Sequence, residues 1–145
     1  MDVKFEIYRS LSQLQEKFVF YIIALNVAAI GFAVYLTLDK PLVLTQIPLG
    51  IAVVSWGLSI WFGTSYLKKL IESKSINFEM LKLEGNRTLI NQNDYAAKSN
   101  DLMEEDQQIH IKIIQYLKYH EIFFYAGIIC FLAWHFLQMA VLSLF

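Results

Sequence analysis

The sequence predicts an all-α integral membrane protein with three transmembrane helices and long cytoplasmic helical extensions. Three observations carry this reading. First, the stretches Phe18–Leu38, Pro41–Leu67 and Ile122–Phe145 contain no Asp, Glu, Lys or Arg, and they run to 21, 27 and 24 residues. At about 1.5 Å rise per residue, such helices reach roughly 30–40 Å, enough to cross a hydrocarbon core of about 30 Å. Second, hydrophobic residues make up 57% of the chain and charged residues 17%, whereas soluble domains carry about 25% charged residues. Third, the residues outside the three stretches are too few and too polar to wrap three such helices as a soluble core. The net charge of −1 gives no basic or acidic excess that points to nucleic acid or an anionic surface.

Residues 1–17 read as an amphipathic cytoplasmic helix. Ile7, Leu11, Leu14 and Phe18 recur at helical spacing, with Arg9, Gln13, Glu16 and Lys17 between them. Nothing breaks this helix before the first span, 18–38. A cleaved signal peptide does not fit, because Asp2, Glu6 and Glu16 precede a long apolar run and a second span follows almost at once. Asp39-Lys40-Pro41 supplies two charges and a helix stop, so 18–67 forms a tight antiparallel hairpin whose second span, 44–67, tolerates Pro48 near its start.

Charge returns at Lys68 and Lys69. Leu67, Leu70, Ile71, Phe78 and Leu81 continue an apolar stripe, so the second helix extends into water. Gly85-Asn86 is the best break. Asn91, Asn93 and Asp94 weaken helix propensity in the polar segment Thr88–Asp106, and the helical pattern returns from about Leu102 with Ile109, Ile113 and Tyr116. That helix runs into the third span, 122–145. The region 68–121 carries eight basic and nine acidic residues, a solvated, salt-bridged surface.

Orientation follows from Lys and Arg in the short flanks. Lys4, Arg9 and Lys17 precede the first span, Lys68, Lys69 and Lys74 follow the second, and Lys112 and Lys118 precede the third. The hairpin loop carries only Lys40. The expected arrangement is therefore a multi-pass plasma (inner) membrane protein with its amino terminus and residues 68–121 in the cytoplasm and Phe145 outside.

No catalytic constellation is present. His110 and His120 stand ten residues apart on one expected cytoplasmic helix and cannot reach a common metal, and no Cys or His stands at ligand spacing. His135, within the third span, reads as a hydrogen-bonding group. Glu104-Glu105-Asp106 reads as a solvated face, since consecutive helix positions point in different directions. Phosphate loops and nucleophile elbows are absent, and Asn86-Arg87-Thr88 matches a glycosylation sequon on the wrong side of the membrane. Cys130, the lone cysteine, reads as a packing residue. The expectation is a non-enzyme without metal or cofactor.

The spans hold neutral polar and small residues instead. Asn26 lies in the first span, and Ser55, Ser59 and Gly63 form a small-residue row in the second. Ala24 with Ala28, and Ala126 with Cys130, form two shorter rows. Asn26, Ser55, Ser59 and Gly63 are candidates for a pore lining or a subunit interface, because a lone amide in lipid costs free energy unless it is bonded or wetted. With no charge in any span, coupled active transport is disfavoured and a pore is expected to select ions weakly. Lys68, Lys69, Arg87 and His110 are the candidates for receiving a cytoplasmic signal.

The hairpin Phe18–Leu67 with its Asp39-Lys40-Pro41 turn, the amphipathic leading helix and the long helix from Lys68 resemble the SLATT-type small membrane effectors of bacterial anti-phage conflict systems. The resemblance implies an oligomeric pore that depolarises the membrane when a partner sensor or a nucleotide or oligonucleotide signal reports infection. The expected partners are the lipid bilayer and further copies of the chain, with a tetramer favoured, and no stable nucleic-acid complex. Two other classes fit the same layout: an immunity protein against a pore-forming toxin, and a membrane anchor subunit for a cytoplasmic partner.

The orientation is directly testable. In a Cys130→Ser background, a membrane-impermeant thiol reagent added to intact cells should label Asp39→Cys and spare Asn93→Cys; the reverse pattern would show that the Lys/Arg asymmetry does not set the topology.

Overall fold

Three long helices account for the described chain: α1 (Val3–Thr37), α2 (Ile47–Gly85) and α3 (Gln92–Leu142), with a short 3-10 turn, Leu44–Gln46, leading into α2. The computed structural model describes residues 3–38, 44–88 and 91–142, without the side chains of 3–9, 11 and 142. The Asp39-Lys40-Pro41 turn, the Ile7 and Leu11 side chains and the last three residues of the expected third span lie outside the described residues. Each helix contains a segment long and apolar enough to cross a membrane.

Local chemistry sets the helix ends. Pro48 occupies the first turn of α2, where its missing N–H costs nothing. Gly85 closes the same helix, and the Asn86 amide donates to the carbonyls of Lys82 and Leu83, 3.2 Å away in both cases. Before α3, the Asn91 side chain accepts from the Asn93 amide at 3.3 Å while its carbonyl accepts from Tyr95 at 2.9 Å, an N-cap arrangement. The sequence suggests a weakly helical Thr88–Asp106, but α3 is continuous from Gln92. The cap and the packing of Tyr95 and Leu102 outweigh the poor propensity of Asn93 and Asp94.

The chain divides into two compact units, Met1–Gly63 with Tyr119–Phe145, and Thr64–Lys118. In the first unit the core is Ala33, Leu49, Ala52, Trp56 and Trp134, with Cys130 and Phe131 packed against it. Phe131 sits between two indoles, its ring centroid 5.8 Å from Trp56 and 5.6 Å from Trp134. Gly127 lets this happen: a Cβ there would stand 2.5 Å from Cδ1 of Trp56.

The second unit pairs α2 with α3 through Ile76, Leu83, Leu102 and Ile109, joined by Met80, Tyr95 and Ile113. The Ser73 hydroxyl donates to Asp106 at 2.8 Å, and the Tyr95 hydroxyl donates to Glu84. That last bond holds the Glu84 carboxyl below its ordinary pKa and raises the Tyr95 phenol above its own. Arg87 bonds Glu84 at 3.3 Å and lies 5.2 Å from the Tyr95 ring centre. Outward-facing Ile71, Phe78, Leu81, Met103, Ile111 and Ile114 remain exposed.

Gly127→Ala should be a test of the first unit's packing. Overpacking of this kind costs about 1–3 kcal/mol, read as a lower midpoint of thermal unfolding in detergent. Adding Trp56→Leu should return part of the loss, whereas additive losses would show that Gly127 acts elsewhere.

Candidate functional site

One polar cluster lies inside the first unit, built from one residue of each helix: Asn26 on α1, Ser59 on α2 and His120 on α3. All three are 0% exposed. Ser59 is the hub. Its hydroxyl donates to the backbone carbonyl of His120 at 2.9 Å and accepts from Asn26 Nδ2 at 2.9 Å. In return, His120 Nδ1 lies 2.7 Å from the Ser59 carbonyl and 2.9 Å from its hydroxyl oxygen. A carbonyl only accepts, so Nδ1 carries the proton, and in the neutral ring Nε2 bears the lone pair; the tautomer is inferred from these contacts. Two acceptors then remain: Asn26 Oδ1 and His120 Nε2 are buried with no hydrogen-bond partner among the described residues. Trp134 Nε1, a donor in the apolar cluster, is a third such atom.

The local sequence makes room for this joint. Val19, Ile22, Asn26 and Ala33 mark the buried face of α1, and Ala52, Ser55, Ser59 and Gly63 mark that of α2. A Cβ on Gly63 would come within 2.9 Å of His120 Cε1 and 3.1 Å of Ile23 Cδ1, so glycine lets the imidazole lie against the α2 backbone. Phe62 stacks on Phe123 (5.6 Å, 2°) and lies 5.3 Å from the Tyr119 ring, bracketing the joint with aromatic surface.

The joint also sets the level of α3 against the other two helices. Asn26 lies nine residues beyond Lys17, about 13 Å along α1. His120 is abreast of it, so Glu121, one residue on, stands near the level of Asn26 in the uncharged part of α1 and of Ser59 in the uncharged Ile47–Leu67 stretch of α2. The sequence places three uncharged spans side by side. The structure staggers the third, since α3 continues twenty-two residues past His120 to Leu142 while α1 continues eleven past Asn26 to Thr37. Directional bonds, not the matching of apolar lengths, choose this register.

Of the sequence candidates, Asn26, Ser59 and Gly63 meet at the joint, and Ser55 is buried one turn away at 7% exposure. Within the protomer these side chains face inward; the Ala24 and Ala28 row is exposed. Lys68, Lys69, Arg87 and His110 belong to the second unit and do not converge on one point: Lys69 pairs with Glu72, Arg87 with Glu84, and His110 lies 3.6 Å from Asp106. Arg87, Gln92, Tyr95 and Asn100 border an open cavity of about 630 Å³. Glu104 and Glu105 are exposed, Asp106 is held by Ser73, and His135 is exposed. No group of three metal-ligating side chains converges among the described residues. Sequence reasoning missed His120 as a joint residue. A signal existed: Ile109, Ile113 and Tyr116 continue at helical spacing to His120, Gly127 and Trp134, which places His120 on the packed stripe rather than on a solvated face.

Comparison with protein-family models, curated proteins and solved structures finds no match to this chain.

The hub predicts an order of effects. Ser59→Ala strips the partner from Asn26 Nδ2 and the donor from the His120 carbonyl, while Asn26→Leu removes one bond and one unpartnered acceptor. Interhelical hydrogen bonds in membranes contribute about 0.6–2 kcal/mol each. Chemical unfolding in detergent should therefore show Ser59→Ala clearly less stable than Asn26→Leu; the opposite order would relocate the hub.

Proposed function

We propose that the chain is a multi-pass integral membrane protein acting as a homo-oligomeric, gated ion-conducting pore, an effector of the kind used in bacterial anti-phage defence. One observation carries the reading: a buried joint of neutral polar side chains with two acceptor atoms unmet among the described residues. A bundle that serves only as an anchor gains nothing from such atoms, because each unmet buried acceptor costs about 1–3 kcal/mol. They become useful if the bundle has a second arrangement in which water or an ion reaches them. The cost stored in the closed form then lowers the free energy needed to open it.

Three helices are too few to surround an aqueous path, and they pack closely at Gly63 and Gly127. Conduction therefore requires several copies arranged about an axis, and four is the favoured number. The signal acts through the second unit, where Lys68, Arg87 and His110 offer polar contacts to a partner protein or a nucleotide-type ligand. The second unit's outward apolar side chains favour one other reading, a membrane anchor on which a cytoplasmic protein docks.

Purified protein in liposomes separates the two. A pore should release a trapped ion once the partner or nucleotide signal is supplied, and native mass spectrometry in mild detergent should show oligomers. Overproduction of the chain alone should slow growth of the host. A monomeric, non-conducting and harmless protein would replace the pore by the anchor.

A further inference from the structure

The level of the joint holds more than its three bonded side chains. Glu121 follows His120 on α3, and its side chain is half-buried. No hydrogen bond or ion pair holds it among the described residues. Across the joint the nearest preceding charge on α1, Lys17, lies nine residues from Asn26, and α2 is uncharged from Ile47 to Leu67; on its own helix the nearest charge is Lys118, three residues before. A carboxylate within an uncharged layer of helices is costly unless water or a counter-charge reaches it. Ionisable groups held there face a bundle interior or a water-filled path and mark ion routes. A second, independent feature has the same sign: the two joint atoms without partners, Asn26 Oδ1 and His120 Nε2, are both acceptors. Together with the carboxylate they make this level a place for a cation or a water molecule and a poor one for an anion.

We propose that Glu121 is the charge that makes the pore cation-selective, with monovalent cations as the permeating class. This rests on the pore reading above and replaces the weak selectivity expected from three uncharged spans. Symmetry supplies the geometry: one half-buried carboxylate per protomer, repeated around the axis, forms a ring of the kind that rejects anions. The acceptors at the joint lie within one side chain of Ser59, so opening of the bundle exposes atoms that take over part of a cation's hydration shell.

The test is a reversal-potential measurement on the full chain in liposomes under a potassium chloride gradient. Wild type should prefer potassium to chloride. Glu121→Gln should still conduct, with the permeability ratio falling about tenfold toward unity, the effect of losing one charge interaction of modest size in a low-dielectric constriction. Glu121→Asp should keep most of the preference. A wild type that conducts without preferring cations, or an unchanged ratio in Glu121→Gln, overturns this inference and leaves the pore reading standing; a wild type that never conducts overturns both. Chemical modification gives a readout independent of conduction. In proteoliposomes, lipid-soluble dicyclohexylcarbodiimide should add to the Glu121 carboxyl, as judged by peptide mass. Modification only by a water-soluble carbodiimide would put Glu121 at the membrane surface and overturn the assignment.

Discussion

The register of the first unit depends on the hydroxyl of Ser59. It receives a hydrogen bond from α1 and gives one to the backbone of α3, while the Ser59 carbonyl takes the imidazole N–H. Apolar helix surfaces slide past one another with little change in free energy, because burial is nondirectional, and in lipid it offers almost no drive at all. A bond lost by a slip of one turn costs about 0.6–2 kcal/mol, and three such bonds share one point. Their sum is enough to select one register from several with similar apolar contact. The aromatic packing around Phe131 and the close approach at Gly127 follow from that choice.

The same bonds carry a cost. Meeting Ser59 leaves Asn26 Oδ1 and His120 Nε2 without a hydrogen-bond partner among the described residues, and it brings Glu121 to a level where α1 and α2 have no charge. At Gly63 the imidazole lies against bare backbone, and its bonds to Ser59 hold it there.

The second unit uses a different balance. Its two helices bury an apolar seam and tie it with Ser73 to Asp106 and Tyr95 to Glu84. The residue numbers of these two pairs add to the same total, so α2 and α3 keep one antiparallel register through the second unit. An isolated two-helix hairpin has little core, and this one keeps a second set of apolar side chains outside.

The sequence alone determined the three long helices, because an uncharged run of more than twenty residues and a 3.6-residue period belong to each segment by itself. It also located the end of α2, since Gly85 acts through its own backbone freedom, but not the start of α3 at Gln92, which the poor propensity of Asn93 and Asp94 obscured. The row Ser55, Ser59, Gly63 was legible as a contact surface, and Asn26 as a residue in need of a partner. Which partner was not legible. Asn26 and Ser59 lie 33 residues apart and Ser59 and His120 lie 61 apart, and nothing in the period of one helix states its level against another. His120 therefore read as a cytoplasmic residue and Glu121 as the edge of a span. Only the tertiary structure, through a few directional bonds on Ser59, decided that His120 is buried against Asn26 and Ser59 and that Glu121 follows directly on that joint.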